Sequence, residues 1–242
     1  MMQKGECGMM KQFAKLVLIL MLGASMCACA GFLGFGGESW KEEALLHDGS
    51  KIIVERTVKR GGRHEIGQKP PFESQLMEFV MPVTGERVTW EDNYSKDIGT
   101  ASFLPMLLDI RQGVAYIVAN NMGCLSYNKW GRPNPPYVVF KYENKEWKRI
   151  PLQELPVEIK RPNLIQSEPD ATAERIRRTP VPSETIQNII NDYRQPKFRT
   201  ILREPLPQAH INEMCMEMVP YKGSWVMPND SIARKFIDQQ KR

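Results

Sequence analysis

The sequence predicts a mainly β protein, an antiparallel meander of hairpins with a small C-terminal α/β appendage. Three observations support this fold class. Short segments alternate apolar and polar residues, turn dipeptides separate these segments, and no helical period intervenes between residues 40 and 152. Closely spaced strands of this kind occur in sandwiches, barrels and partial propellers, and the pattern does not choose among the three.

The β domain is predicted to span residues 40–152 and to begin with a hairpin. Ile52, Val54 and Val58 share one face of a strand by the period of two, and Asp48-Gly49 is a strong signal for the preceding turn. The same reasoning predicts three further hairpins, with strands at 74–81 and 86–90, 103–110 and 114–119, and 137–142 and 147–152.

A proline-rich segment, residues 153–182, follows the predicted hairpins. It has little hydrophobic pattern, so we expect an extended crossing over the surface, with a loose helical piece near 171–178. Residues 183–242 are expected to pack on the β domain as a helix, a hairpin and a terminal helix.

Each of these three C-terminal elements has its own local signal. Ser183 is the expected N-cap of an amphipathic helix with an apolar stripe at Ile186, Ile189, Ile190 and Tyr193. The hairpin is predicted from strands at 214–219 and 224–227. The terminal helix, 231–240, is expected to be capped by Asn229 or Asp230.

Residues 1–30 have the pattern of an export signal, with Met10 as an alternative start. Lys11 and Lys15 precede an apolar run at residues 16–22, and small residues follow it. The run is shorter than the roughly 20 residues that a membrane span needs. A buried core helix is the alternative interpretation. The signal predicts that the protein works outside the cytosol.

The end of this signal is compatible with two processing routes. Ala28-Cys29-Ala30 is an A-x-A cleavage site that would release a secreted, soluble protein. The same residues resemble a lipobox, in which Cys29, or alternatively Cys27, is acylated. We favour the lipid anchor, with residues 31–39 as a flexible tether and the domain facing the periplasm.

The charge of the chain limits the kinds of binding partner that we expect, and its cysteines predict a disulfide. The 33 basic and 28 acidic residues give a net charge of +5, but they are interspersed without a basic stripe, so nucleic acid is not an expected partner. Another envelope protein or an envelope polymer is compatible with this surface. Cys124 and Cys215 are the two cysteines that follow the N-terminal region, and outside the cytosol such a pair predicts a disulfide.

The most unusual loop is N-K-W-G-R-P-N-P-P-Y, residues 128–137. Trp130, Arg132 and Tyr137 among its prolines could form a stiff binding surface that stacks on sugars or docks a partner. The alternative is that Trp130 and Tyr137 fold back and cover the sheet.

Two weaker candidates involve charge and soft ligands. Arg60, Arg63 and His64 lie in a glycine-rich loop that could bind an anion, or could simply be solvated. His210 and the M-C-M-E-M segment, residues 214–218, carry ligand types that suit Cu(I). Strand alternation would instead place its three methionines in the core and leave Cys215 free to bridge Cys124, so we expect no metal and no cofactor.

Catalytic motifs give no candidate residue. The sequence contains neither G-x-S-x-G nor H-E-x-x-H, and its adjacent acidic pairs would point to opposite faces of strands. We therefore predict a binding or interaction module without catalytic residues. A periplasmic enzyme acting on glycans or peptides, and an accessory or immunity-like lipoprotein, are the alternatives.

Two segments carry a resemblance to a known family. W-K-E-E-A-L-L-H-D-G, from Trp40, and N-K-W-G-R-P-N-P-P-Y, from Asn128, resemble a family of exported bacterial lipoproteins without an established activity. The resemblance implies location in the cell envelope, and it transfers no catalytic residue.

Overall fold

The computed structural model describes residues 37–62 and 64–240. Within these ranges the predicted mainly β class is confirmed: ten strands form two four-stranded sheets and one two-stranded sheet, all antiparallel. No closed barrel is formed by the described strands. The predicted export signal, Cys27, Cys29, residues 31–36 of the predicted tether and Arg63 lie outside the described residues.

Both large sheets are meanders in which each strand pairs with the next. The first sheet has the order β1-β2-β3-β4 and the second β5-β6-β7-β8. Turn chemistry explains the local folding: Gln112 and Gly113 both have positive φ (51° and 76°), as a two-residue hairpin turn requires. The eight strands are β1 Glu38–Leu45, β2 Lys51–Arg60, β3 Phe72–Val80, β4 Arg87–Asn93, β5 Phe103–Arg111, β6 Val114–Asn121, β7 Val138–Glu143 and β8 Glu146–Ile150.

The two large sheets share one apolar core. Trp90 of the first sheet lies 5.8 Å from Phe140 of the second, between ring centroids, and Phe79 lies 6.4 Å from Trp147. Alternate residues of the facing strands, such as Val54 and Ile117, are completely buried between the sheets. The predicted alternation therefore produces a sandwich-like packing of two sheets.

Five α-helices, two single 3-10 turns (Leu152–Glu154 and Pro196–Phe198) and a short hairpin complete the described part of the chain. The six-residue helix α1 between β6 and β7 was not predicted, because it is too short to show a helical period. A C-terminal hairpin forms, but its first strand begins later than predicted. The terminal helix occupies its predicted residues, and Asp230 accepts a hydrogen bond from the Ala233 N–H at 2.8 Å. The elements are α1 Cys124–Lys129, α2 Pro169–Ile176, α3 Ser183–Asn191, α4 Gln208–Met214, β9 Val219–Tyr221, β10 Ser224–Val226 and α5 Ser231–Gln240.

The predicted N-cap role of Ser183 is wrong. Helix α3 begins at Ser183 itself, whose hydroxyl and backbone N–H both donate to the Glu43 carboxylate, at 2.8 and 3.1 Å. Glu43 thus binds the helix start from β1. Hydrogen bonds from Lys51 and Ser183 lower the pKa of Glu43 to about 2.

The predicted strand at residues 214–219 is also wrong. Met214 ends α4, Met216 is 66% exposed, and β9 begins only at Val219. The side chain of Asn128 explains the difference, because it donates to the Met216 carbonyl at 3.0 Å and accepts from the Met218 N–H at 2.8 Å. These backbone groups bond to an amide side chain where a partner strand was expected.

The proline-rich segment is partly buried, whereas an extended crossing over the surface was predicted, and its predicted helical piece forms as α2. Leu164 and Ile165 are completely buried, and Asn163 donates to the Leu108 carbonyl of β5 at 2.7 Å. The segment thereby covers the outer edge of the second sheet, which would otherwise present unpaired backbone groups.

Candidate functional site

The loop at residues 128–137 packs against the fold through Trp130, Arg132 and Tyr137, whereas it was predicted as a binding surface. Tyr137 is 3% exposed, and its hydroxyl donates to the Lys197 carbonyl at 2.9 Å. Burial raises the pKa of Tyr137 to about 12. Tyr137 is a core residue that ties the loop to residues near 197.

Trp130 and Arg132 are used within the fold as well. The centroid of the Trp130 ring lies 4.8 Å from that of the Phe103 ring, and the Arg149 guanidinium lies 5.3 Å from the Trp130 centroid. Arg132 donates to the Cys215 carbonyl at 2.9 Å. The loop therefore folds back, which was the alternative interpretation.

The predicted anion site is not assembled around Arg60. The Arg60 guanidinium donates to both oxygens of Asp170, at 2.8 and 2.9 Å, and to the Pro70 carbonyl. A bidentate ion pair of this kind satisfies its charge within the fold. His64 is exposed and lies beside the Gly62 carbonyl.

The predicted disulfide is confirmed. Cys124 and Cys215 are joined, with their Cα atoms 5.3 Å apart across 91 residues of sequence. The bridge fastens the residue that follows α4 to the start of α1. Because Cys215 is bridged, it offers no thiolate to the Cu(I) site considered from the sequence.

A cavity of about 370 Å³ lies against this disulfide and is open to solvent. Its volume falls within the range of small-molecule sites. Both disulfide cysteines line it, and none of its lining residues is acidic or a histidine. The apolar part of the lining is formed by Leu104, Tyr127, Pro136, Tyr193, Phe198 and Met214, and the polar part by Asn120, Asn121, Gln166, Ser167 and Lys197.

Lys197 is the only charged residue in the lining of this cavity. It is 9% exposed, and its ammonium group contacts the Met214 sulfur at 3.0 Å and lies 4.9 Å from the Phe198 ring centroid. Among residues 37–62 and 64–240, no carboxylate pairs with it. Burial therefore lowers the pKa of Lys197 from its ordinary value.

Other enclosed cations of the described chain are satisfied much better. Arg56 pairs with Glu42 at 2.9 Å, and Arg60 pairs with Asp170. Arg203, without an acidic partner, donates to four backbone carbonyls at 2.8–3.1 Å. Lys197 has one hydrogen-bonding partner in the described chain, the thioether sulfur of Met214, and a thioether is a weak acceptor. The charge of Lys197 is thus poorly compensated by the fold.

Two amide side chains in the same lining are also incompletely bonded. Both polar side-chain atoms of Asn121, and Oε1 of Gln166, are buried without a hydrogen-bond partner in the described chain. Buried polar groups of this kind need an explanation, since each costs free energy when unpaired. These amide atoms have almost no accessible surface, so they do not face the open cavity, and Nε1 of Trp130 and Nε of Arg234 are unpaired in the same way elsewhere in the described chain.

Rigid elements hold these groups in place. Asn121 is the last residue of β6 and is paired with Phe103 of β5. Lys197 lies in a single 3-10 turn, Pro196–Phe198, which is fixed when the Gln166 amide donates to the Phe198 carbonyl at 2.9 Å. The Tyr137 hydroxyl donates to the Lys197 carbonyl in the same turn. Ligand groups would therefore meet a largely preformed site.

A second, smaller cavity of about 300 Å³ contains His47 and Asp109. Nδ1 of His47 lies 2.6 Å from Oδ1 of Asp109, and the His47 backbone N–H donates to Oδ2 at 2.9 Å. Burial raises the pKa of the Asp109 carboxyl, while the contacts with His47 oppose this effect. The carboxylate orients the imidazole, as in acid–base dyads.

No protein-family model, curated protein or solved structure matches this chain. The resemblance to exported lipoproteins therefore stays a prediction. Across residues 37–62 and 64–240, none of the helices has the length and apolar character needed to span a membrane.

No local pattern in the sequence indicates the Lys197 cavity. A lysine between Pro196 and Phe198 reads as a solvated loop residue, because lysine is rarely buried. Two asparagines, Asn120 and Asn121, stand at the end of an apolar strand. Polar residues in that position either end the strand or line a site. Only the packing of distant segments distinguishes these two roles.

Proposed function

We propose that this protein is an exported, lipid-anchored binding module of the bacterial cell envelope, and that its ligand carries an anionic group into the cavity at Lys197. One observation carries the proposal: a buried ammonium lines an open cavity and has no carboxylate partner in the described chain.

The energetics favour a ligand over a purely structural role. Holding an unpaired charge out of water costs several kcal/mol, whereas an apolar side chain of similar length would fill the space without that cost. A bound anion compensates the charge, and the low exposure of the Lys197 side chain makes this contact stronger than it would be at a fully solvated lysine. The apolar walls, including Leu104 and Phe198, suit the rest of the ligand.

The surroundings of Lys197 support binding more than catalysis. Acid–base chemistry commonly uses a histidine or a carboxylate, and neither type lines this cavity. The confirmed disulfide fits an oxidising compartment, in agreement with the export signal.

Titration calorimetry with decanoate, a simple apolar carboxylate, tests the proposal. The full-length protein should bind decanoate, and Lys197→Met should weaken binding by about tenfold or more, as expected for the loss of a charge-assisted contact. Lys160→Met is the matched control, because Lys160 is exposed and lies outside this cavity. Equal affinity in wild type and Lys197→Met would contradict the proposal.

The His47–Asp109 pair favours a second candidate function, a periplasmic hydrolase that uses water as the nucleophile. The imidazole is positioned to act as a general base, and no serine, threonine or cysteine lines its cavity. Hydrolysis of a labelled envelope glycan or peptide that is abolished by His47→Gln, with His64→Gln as control, would support it. Retained hydrolysis in His47→Gln would reject this assignment.

A further inference from the structure

We infer that helix α5 docks on an anionic lipid surface through the face that carries Ile232 and Phe236. None of the ten residues of α5 is fully buried, and these two are 80% and 60% exposed. The inference goes beyond the proposed function, because it depends neither on the Lys197 cavity nor on acylation of a cysteine. It assigns a partner to a surface that the cavity does not include.

Polar side chains of α5 hold the helix on the β9–β10 hairpin. The Asp238 carboxylate accepts hydrogen bonds from the Tyr221 hydroxyl at 3.0 Å and from the Lys222 ammonium at 2.7 Å. Arg234, one turn earlier in the helix, donates to the Pro228 carbonyl at 2.7 Å, and its guanidinium lies 5.2 Å from the Tyr221 ring centroid. The side of α5 that faces the protein is therefore fixed by charged residues.

Ile232 and Phe236 lie on the opposite face of the helix. Phe236 is two residues from both Arg234 and Asp238, and two residues correspond to a rotation of about 200° around the helix axis. Ile232 precedes Phe236 by four residues, so the two share one stripe. A helix of a globular protein ordinarily turns its apolar stripe towards the core. In α5 the two large apolar side chains of this stripe are exposed instead.

The charge of the segment favours an anionic partner. Residues 231–242 contain four basic residues and one acidic residue, and the acidic residue, Asp238, is already bonded within the fold. Lys235 is exposed and stands between Ile232 and Phe236 in the sequence. Basic side chains that flank an exposed apolar stripe are typical of helices that lie in the interface of a membrane with anionic lipids.

The size of the stripe favours a lipid surface over a second copy of the protein. A helix of ten residues is about 15 Å long and about 10 Å wide, so one face covers about 150 Å². A stable protein–protein interface buries about 800 Å² on each partner. An interfacial helix needs only to insert its apolar side chains among the acyl chains while its basic side chains contact the headgroups.

Co-sedimentation of the full-length protein with lipid vesicles tests the inference. The vesicles consist of phosphatidylcholine alone, or of equal parts of phosphatidylcholine and phosphatidylglycerol. The protein should bind the anionic vesicles, and the double variant Ile232→Gln, Phe236→Gln should bind them about tenfold or more weakly, because two inserted apolar side chains are lost. Val83→Gln, at an 88% exposed position between β3 and β4, is the matched control and should bind like the wild type. Undiminished binding by the double variant would overturn the inference.

Lys235→Gln tests the preference for anionic lipid separately. It should weaken binding to the anionic vesicles by about fivefold, which is the contribution of one lysine near a charged membrane surface. Lys148→Gln, at an exposed position of β8, is the control and should leave this binding unchanged. Equal binding of the wild type to both kinds of vesicle would overturn the assignment of an anionic surface.

Phe236→Trp shows whether α5 itself enters the lipid, whatever other part of the chain binds the vesicle. Brominated phospholipid in the anionic vesicles should quench the emission that Phe236→Trp adds, and it should not quench the emission that Val83→Trp adds. Absence of quenching at both positions would overturn the inference. Size-exclusion chromatography without lipid tests the other occupant: a wild-type dimer that Phe236→Gln converts to a monomer would assign this face to a second copy and overturn the inference.

Discussion

The ammonium nitrogen of Lys197 lies 3.0 Å from the sulfur of Met214, and this thioether is its one hydrogen-bonding partner within the described chain. Met214 ends α4 and directly precedes Cys215, so the disulfide fixes the contact. A thioether accepts hydrogen bonds weakly, and it carries no charge. The folded protein therefore holds a cation that it does not neutralise, in a cavity large enough for an anion.

Lys197→Met should stabilise the protein while it weakens ligand binding. Methionine keeps most of the apolar contacts of the lysine stem and removes the buried charge, so we expect the free energy of unfolding to rise by about 1–4 kcal/mol. Urea denaturation measures this change. Lys160→Met, at an exposed position, should shift the value by less than about 0.5 kcal/mol. A destabilised Lys197→Met would show that the fold needs the ammonium.

The gain from Lys197→Met should depend on pH. Burial lowers the pKa of Lys197 in the folded protein below its ordinary value of 10.5, so the unfolded chain holds more protons between the two pKa values. Unfolding free energy then rises with pH across this interval, and the lysine's penalty is fully present below it. The difference between variant and wild type should shrink as pH approaches 10.5.

The unfolding free energies of the wild type and Lys197→Met must be compared at each pH, because Tyr137 makes stability change with pH in the opposite direction. Its pKa is raised to about 12 by burial, so ionisation of the unfolded chain lowers stability from about pH 10 upwards. That effect is common to both proteins and cancels in the comparison. A difference that stays constant between neutral pH and pH 10 would contradict the lowered pKa.

Reduction of the disulfide should lower stability and weaken binding together. The bridge between Cys124 and Cys215 closes a long loop, and removal of such a bridge costs about 2–5 kcal/mol. It also frees the end of α4, where Met214 forms part of the cavity wall. Melting curves and decanoate titrations with and without reductant measure the two effects. If binding is unchanged after complete reduction, the disulfide does not support the binding site, and this prediction is contradicted.

Arg56→Met should be strongly destabilising. Arg56 and Glu42 form an ion pair whose side chains are 3% and 0% exposed, and Glu42 also accepts from the Ile165 N–H at 2.9 Å. Loss of one partner leaves a buried charge, at a cost of about 3–5 kcal/mol. The exposed pair Lys41–Glu55 is the control, and Lys41→Met should cost about 1 kcal/mol or less. Similar losses in both variants by urea denaturation would contradict this account.

Local signals account for the parts of the fold that the sequence predicted. The turn at Gln112-Gly113 and the alternation of Ile52 and Val54 depend on neighbouring residues, so one sequence is enough to recognise them. The disulfide was predicted from the compartment that the predicted export signal implies. These inferences needed no knowledge of which distant segments meet.

The errors arose where distant segments decide the outcome. Asn128 bonds to the backbone at Met216 and Met218, and Glu43 binds the start of α3 from β1; neither contact has a local signature. Lys197 was missed for the same reason. Its burial depends on α4 and the end of β6, which are far from it in sequence.

The central claim is that the Lys197 ammonium binds the anionic group of a ligand. NMR of the protein with lysine labelled at the Cε carbon tests this claim most directly. The Lys197 signal is assigned by its absence from the spectrum of Lys197→Met. The pKa of Lys197 should lie below 10.5 in the free protein and rise when decanoate is added, since a bound carboxylate favours the charged form. A pKa that decanoate does not shift, at concentrations that leave Lys160 unaffected, would contradict the claim.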